Sequence, residues 1–202
     1  MHRFFRRSLS VLSAVLVLGP AALPQVVAAE TFRIDPVHTT VEFKVRHLLT
    51  KTSGVFRKFD GSVDFDPDDP DEVKVEGSID VTSIDTGNAK RDDHLRGADF
   101  FNVEKYPVIT FKAGELEDVD AEKMTAKLRG ELTMLGVTKP VVMDVGFYGT
   151  VVDPWGNKKA GFGGTTTINR KDYGMEWNKA LDAGGLVLGE EVEISVQVEA
   201  SF

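Results

Sequence analysis

From Thr31 onward the chain alternates apolar and polar residues with a period of two, and this pattern constrains the fold more than any other feature. In the first run, Val41, Phe43 and Val45 fall on one face, whereas Glu42 and Lys44 fall on the other. Successive side chains of a strand point to opposite faces, so the pattern predicts strands with one buried face. Eight such strands are expected, at residues 31–47, 59–66, 73–81, 108–113, 124–134, 141–147, 160–168 and 192–200.

Eight strands joined mostly by hairpins predict an all-β fold, either an eight-stranded antiparallel β-barrel or a two-sheet sandwich. We favour the barrel because its long terminal strands can pair with each other, which removes exposed sheet edges. A barrel of this size can hold one small ligand. Small residues at inward positions are expected to leave space inside it: Gly61, Gly77, Ala113, Ala126, Gly130, Ala160 and Gly164.

The expected interior is apolar, and ten large side chains are candidates to line it and bind a ligand. They are Phe43, Phe65, Ile79, Phe100, Phe101, Phe111, Leu132, Met143, Phe147 and Phe162. Two of them, Phe100 and Phe101, belong to a different kind of segment from the strands. They are interpreted equally well as packing that closes the barrel and as ligand contacts.

A short helical insert is expected between the third and fourth strands. Residues 88–96 are compatible with a helix, and Gly97 is expected to end it in the left-handed conformation that glycine adopts without steric cost. Pro107 disfavours helix at Tyr106 and returns the chain to an extended segment. The insert is therefore expected to lie across one end of the barrel.

Residues 1–29 have the features of a secretory signal peptide. Arg3, Arg6 and Arg7 form a basic region, residues 9–18 form a short apolar run, and Val27-Ala28-Ala29 precede Glu30 as small residues suited to signal peptidase. The apolar run is too short to span a bilayer comfortably, so no permanent membrane anchor is expected. The predicted domain is residues 30–202 in the periplasm or outside the cell, with general secretion preferred over the twin-arginine route.

Charge and cysteine content exclude several classes of function. The full chain has a net charge of −8, and loss of residues 1–29 would make it −11, because that segment holds three arginines and no acidic residue. Nucleic-acid binding needs a basic surface, so it is not expected here. The absence of cysteine excludes disulfides, thiolate catalysis and zinc–thiolate sites.

The sequence contains no motif that indicates catalysis or a resident cofactor. Asp93 and His94 are adjacent, but neighbouring positions on a helix point apart. No nucleophile elbow or HExxH motif occurs, and the spacing of His38, His47 and His94 does not indicate a metal site. The acidic run Asp64–Asp71 lacks the glycine of a calcium loop and is interpreted as a solvated turn. We expect no enzyme activity, no metal and no cofactor.

The chain resembles the YceI-like family, whose members are exported, lipocalin-like proteins associated with polyisoprenoid binding. Taken together and in order, the matching strings are specific and cover essentially all of residues 30–202. They are Asp35-Pro36-Val37-His38-Thr39, Gly54-Val55-Phe56, Ile84-Asp85-Thr86-Gly87, Arg91-Asp92-Asp93-His94-Leu95, Asp99-Phe100-Phe101, Tyr106-Pro107-Val108-Ile109-Thr110-Phe111, Gly130-Glu131-Leu132-Thr133, Gly136-Val137-Thr138-Lys139-Pro140-Val141, Ile168-Asn169-Arg170, Asp172-Tyr173-Gly174 and Trp177-Asn178.

The resemblance implies a barrel whose apolar cavity holds a long isoprenoid or quinone-like lipid, and it implies no reaction. Polar residues are then candidates to meet the head group of that lipid by hydrogen bond or charge: His38, His47, Arg91, His94 and Arg170. The sequence is compatible with a homodimer. An exported stress-related interaction module and an enzyme acting on a lipid-like molecule remain as alternative functions.

Overall fold

A computed structural model describes residues 30–65, 73–182 and 184–202 of the chain. The expected signal peptide and most of the acidic turn after Phe65 lie outside the described residues. The described elements are eleven strands, one α-helix, α1, Ala89–Arg96, and two short 3-10 helices, Val81–Ser83 and Arg170–Tyr173. The strands are β1 Glu30–Ile34, β2 Thr40–His47, β3 Thr50–Phe56, β4 Phe59–Phe65, β5 Lys74–Asp80, β6 Ile84–Asp85, β7 Val108–Asp120, β8 Thr125–Met134, β9 Val137–Val152, β10 Lys158–Asn169 and β11 Leu188–Ser201.

Eight of these strands form a closed antiparallel barrel, as the sequence predicts. Their order is β1-β4-β5-β7-β8-β9-β10-β11, and β1 closes the ring by pairing with β11. In that closing pair, Arg33 lies opposite Ser201 and Ile34 lies opposite Ala200. The prediction that the terminal strands meet and leave no open edge between them is therefore confirmed.

The first predicted strand, residues 31–47, is instead two strands. The turn at Pro36–His38 divides it into β1 and β2, and both halves pair with β11. Proline has no backbone N–H to donate, so it interrupts the ladder at this point. The segment 48–54, predicted to be a connection, mostly forms β3, which pairs with β2 along its length. Its alternation is weak because Thr50, Lys51 and Thr52 are all polar.

Helix α1 lies between β5 and β7, where the insert is predicted. The side chain of Asn88 accepts a hydrogen bond from the Arg91 N–H and caps the first turn. Gly97 ends the helix with its N–H bonded to the His94 carbonyl, but its φ of −70° is not left-handed. The expected left-handed cap is therefore wrong, and a bend into residues 98–101 ends the helix instead.

The two ends of the barrel differ, and the helix end is the one that carries α1. There β6 pairs with the last two residues of β3, Val55 and Phe56, and Leu188 of β11 lies opposite His47. The opposite end carries the β7–β8 and β9–β10 turns and the C-terminal Phe202. No helix in the described part of the chain has the length and apolarity needed to span a bilayer.

Candidate functional site

An elongated cavity of about 760 Å³ runs through the inside of the barrel. Its wall is overwhelmingly apolar, because the inward positions of nearly every barrel strand carry apolar side chains. All ten residues predicted to line the interior do so: Phe43, Phe65, Ile79, Phe100, Phe101, Phe111, Leu132, Met143, Phe147 and Phe162. The size lies within the usual range of pockets for small ligands.

Towards the opposite end, three phenylalanines form a cluster of contacting rings. Phe65 lies with its ring centroid 5.1 Å from that of Phe147 and 5.9 Å from that of Phe162, and Phe147 and Phe162 are 5.4 Å apart. Val119, near the end of β7, and Met124, in the β7–β8 turn, line the cavity beyond them and are exposed. An apolar chain entering the barrel from the helix end would therefore meet aromatic faces at its far tip.

At the helix end, the insert both closes the barrel and lines the cavity. Phe100 is buried in the main hydrophobic core, and its ring centroid lies 5.2 Å from that of Trp177. Phe101 packs edge-on against Phe56 at 5.9 Å. Both phenylalanines also line the cavity, so the packing interpretation holds and ligand contact stays a prediction.

The small inward residues do not all create space. A Cβ built on Gly77 has no atom within 4 Å, so this position faces open cavity. A Cβ on Gly130 would lie 2.7 Å from the Ala113 Cβ and 2.8 Å from the Phe111 ring. Gly61 and Gly164 are similarly crowded. These three glycines allow close packing rather than leaving room, which corrects the expectation from their size.

Four of the five predicted polar-end residues line the cavity at the helix end: His47, Arg91, His94 and Arg170. Arg91 is exposed and donates from Nε to Thr86 Oγ1 and from Nη2 to the Thr86 carbonyl, both at 2.7 Å. Asp92 is buried and fixes the same threonine by accepting from its N–H at 2.9 Å. The side chain of Arg91 is therefore held at the cavity rim.

Arg170 is the most deeply buried charged group of the site, with 2% of its surface exposed. It follows β10, and its Nε donates to the Gly189 carbonyl at 2.9 Å while Nη1 donates to the Met175 carbonyl. Nη2 is buried and has no hydrogen-bond partner among the described residues. Burial lowers the pKa of Arg170, but guanidinium groups keep their charge in proteins. The helix end thus holds a buried positive charge, the Arg170 guanidinium, whose Nη2 can still donate hydrogen bonds.

His94 of α1 lies among aromatic rings. Its ring centroid is 5.0 Å from both Phe100 and Trp177, and its Nε2 is 2.8 Å from Asp99 Oδ2. These contacts fix the imidazole plane. Trp177 and Met175 also line the cavity, although no periodic pattern in the sequence indicates this. For Trp177, the only indication in the sequence was the Trp177-Asn178 string, which matches the family but does not indicate a role in the site.

His38 does not lie with the other polar-end candidates, so the prediction that it meets the head group inside the barrel is corrected by the structure. It sits in the turn between β1 and β2, near the opposite end, and is absent from the cavity wall. Its Nδ1 shares a 3.0 Å hydrogen bond with Asp35 and lies 3.7 Å from Glu199. The turn that divides the first strand carries His38 outside the barrel.

Asp35, His38 and Glu199 are the one group among the described residues whose ligand atoms are close enough to hold a metal ion. The Nζ of Lys159 lies 3.1 Å from Asp35 and 3.3 Å from Glu199. An ammonium group therefore already balances these carboxylates. The arrangement is that of an ion-pair cluster.

Comparison with known proteins decides the family. A model of the YceI-like domain matches residues 32–200, which include all eleven strands except the terminal residues of β1 and β11. The chain belongs to the YceI-like family. A UPF0312 protein of Ectopseudomonas mendocina is 42% identical to it over 189 residues, covering 92% of this chain and 95% of that protein.

Solved structures of this barrel type superpose on the chain. BcnA of Burkholderia cenocepacia has a TM-score of 0.72 and 24% identity, covering 83% of this chain and 99% of that protein. A polyisoprenoid binding domain from Saccharophagus degradans has a TM-score of 0.62 and 15% identity, covering 84% and 97%. Both similarities show that the YceI-like chain shares their fold.

Proposed function

We propose that this YceI-like protein binds a long-chain isoprenoid or quinone-like lipid and carries or sequesters it in the cell envelope. The observation that carries the proposal is the cavity, which is long, apolar and lined at one end by polar side chains. A structural neighbour described as a polyisoprenoid binding domain supports this choice of lipid. Burial contributes about 0.8 kcal/mol per methylene, so a long chain would be bound strongly by the wall alone.

The polar residues indicate the orientation of the lipid. Its tail would lie along the barrel towards Phe65, Phe147 and Phe162. Its head group would lie at the helix end, near His47, Arg91, His94 and Arg170. An oxygen atom in the head group could accept a hydrogen bond from the guanidinium of Arg170, which forms such bonds with particular strength when its partner is charged.

The direct test is native mass spectrometry of the protein purified without detergent, with its organic extract analysed in parallel. A stoichiometric adduct with the mass of an isoprenoid or quinone is expected. A bare protein mass, together with no uptake of added polyprenyl lipids, would contradict the proposal and would favour an interaction module.

Binding without chemical conversion is part of the proposal. His94 is held by Asp99 and by two aromatic rings, an arrangement that also serves a structural role. Lipid recovered after prolonged incubation with the protein should keep its mass. A shifted mass that depends on His94, shown by its loss in His94→Ala, would establish catalysis instead.

Export through residues 1–29 is the remaining element of the proposal. The protein isolated from a periplasmic extract is expected to begin at Glu30. N-terminal sequencing decides this, and an intact Met1 in the mature protein would contradict it.

A further inference from the structure

Three phenylalanine rings meet across the inside of the barrel near its opposite end. Phe65 is on β4, Phe147 on β9 and Phe162 on β10. In the ring order, three strands separate β4 from β9 in either direction, so these two strands face each other across the barrel. The ring centroids of Phe65 and Phe147 are nevertheless only 5.1 Å apart. We call Phe65, Phe147 and Phe162 the phenylalanine cluster, and its rings span the inside of the barrel at this level.

On the side of β1, β10 and β11, packed core lies behind the phenylalanine cluster. Phe32 meets the Phe162 ring edge-on, with the ring centroids 6.4 Å apart. Phe32, Ala160 and Ala200 are all buried and form a separate small core. Phe147 and Phe162 pack against that core. None of Phe32, Ala160 and Ala200 lines the cavity. An apolar chain that reaches the cluster from the helix end therefore finds no space beyond it on this side.

On the side of β7 and β8, the cavity continues past the phenylalanine cluster but reaches solvent. Val119 and Met124, at the end of the β7–β8 hairpin, line the cavity there and are 49% and 41% exposed. Ala121, in the turn between these strands, also lines the cavity and is exposed. Burial stabilises a methylene only as far as it removes that methylene from water. A chain that passes the cluster on this side therefore gains little from its additional length.

Between the helix end and the phenylalanine cluster, the cavity wall contains buried apolar side chains. Leu128, Met143 and Ile168 line this stretch, and all three are buried. Phe162 lies eight residues before Arg170, which is about 26 Å along a strand and, for the usual tilt of barrel strands, about 20 Å along the barrel. An extended hydrocarbon advances about 1.2 Å per backbone bond, as a peptide chain does, so about four isoprene units cover this distance.

We propose that the phenylalanine cluster sets the length of the isoprenoid chain that this protein prefers, at about four isoprene units. This length limit rests on the proposed function, because it takes the chain to enter from the helix end with its head group near Arg170. Each unit up to the cluster is buried against apolar side chains, so affinity should rise with chain length. Beyond the cluster affinity should stop rising, because one side of the barrel is filled and the other side opens to solvent.

The total volume of the cavity is the alternative determinant of chain length, and Phe111 separates the two. Phe111 lies on β7, opposite Gly77 of β5 and Leu132 of β8, in the cavity wall nearer the helix end. Removing its ring would widen a stretch that the chain already passes, without adding space at the tip of the chain. Removing a ring of the phenylalanine cluster would add space at the tip. A length limit set by the cluster therefore depends on where a ring is removed, whereas a limit set by volume does not.

The test is a competition among polyprenyl alcohols of increasing length, supplied as an equimolar mixture in detergent, with the bound lengths identified by native mass spectrometry. The variants are Phe147→Ala and Phe162→Ala, and Phe147→Leu, which keeps a branched apolar side chain, replaces them if they do not fold. Phe111→Ala is the matched control inside the barrel. Tyr148→Ala is the control outside it, since Tyr148 is 66% exposed and lies over Gly161. The unfolding midpoint of each variant shows whether it is folded.

The wild type should take up chains of about four isoprene units in preference to both shorter and longer chains. A phenyl ring is close in size to an isoprene unit, so Phe147→Ala and Phe162→Ala should each raise the preferred length by about one unit. Phe147→Leu should shift uptake towards longer chains as well. Phe111→Ala should weaken uptake of all lengths alike without changing the preferred length, and Tyr148→Ala should behave as the wild type does.

The outcomes separate the length limit from the proposed function. Uptake by the wild type without preference for length, or an unchanged preference in the folded cluster variants, would overturn the length limit and leave a lipid carrier. A shift in Phe111→Ala equal to that in Phe147→Ala would assign chain length to total volume and would also overturn the limit. No adduct of any length on the wild type would remove both the proposed function and the length limit.

Discussion

The Nζ of Lys159 lies 3.1 Å from Oδ2 of Asp35 and joins β10 to the turn between β1 and β2. The same carboxylate shares a 3.0 Å hydrogen bond with His38 and accepts another from the Val37 N–H at 3.0 Å. These partners, His38 foremost, hold the pKa of Asp35 well below its usual range. Since β1 and β2 both pair with β11 beside this cluster, Asp35 stabilises the place where the barrel closes.

Asp35→Asn should lower the free energy of unfolding by about 1–2 kcal/mol at neutral pH, because it removes hydrogen bonds and ion pairs made by a charged group. The folded pKa is depressed, so this stabilisation is fully present above the usual carboxylate value of about 3.9 and is lost as pH falls further. Urea unfolding of both proteins at several pH values measures it. A difference in unfolding free energy between the wild type and Asp35→Asn that stays constant from neutral to acid pH would contradict this account.

His38 should titrate above its usual value, because its hydrogen bond and ion pair with Asp35 raise the pKa of the imidazole. The stabilisation from a raised pKa is present below the unfolded value of about 6.5 and is lost as pH rises through the folded value. An NMR titration of the His38 ring protons measures the pKa directly. In the Asp35→Asn variant the pKa of His38 should fall back towards its usual value. An unchanged pKa in that variant would show that Asp35 does not cause the rise.

The alternation of residues was enough to predict the eight strands of the ring, because each has one buried face, and the long terminal strands favoured a barrel over a two-sheet sandwich. It could not predict β3, where Thr50, Lys51 and Thr52 give no apolar face, nor the division of the first strand at Pro36. Both features depend on pairing with distant residues of β2 and β11. Local pattern does not contain that information.

The apolar site was predictable for the same reason as the fold, since inward positions follow from the period of two. The polar end of the site was harder to predict from the sequence. A period of two places His38 on the outward face with Glu42 and Lys44, and the structure places it outside the barrel, in the turn after Pro36. Trp177 and Met175 lie in an irregular segment without periodicity. The excess donor capacity of Arg170 appears only when the partners of each nitrogen are known.

Arg170→Met should lower the free energy of unfolding by about 2–4 kcal/mol, because it leaves the buried carbonyl of Met175 and the half-buried carbonyl of Gly189 without their guanidinium donors. Arg129→Met is the matched control. Arg129 is exposed and pairs with Glu117 on the barrel surface, where solvent screens the pair, so its loss should cost much less. Chemical unfolding measures both. Equal losses would mean that burial of Arg170 does not make its hydrogen bonds more important than a surface ion pair.

Gly77→Leu should block the cavity while leaving the barrel folded. A Cβ at this position meets no atom within 4 Å, and Gly77 lies opposite the cavity-lining Phe111, so the new side chain would enter the space proposed for the lipid tail. Uptake of a polyprenyl lipid should fall by about tenfold or more, equivalent to about 1.4 kcal/mol. Lys112→Leu, which adds the same side chain to the exposed face of β7, should bind as the wild type does.

Gly130→Leu, in contrast, should unfold the barrel, because its Cβ would lie 2.6 Å from the Lys112 carbonyl. Undiminished uptake by a folded Gly77→Leu protein would place the lipid elsewhere.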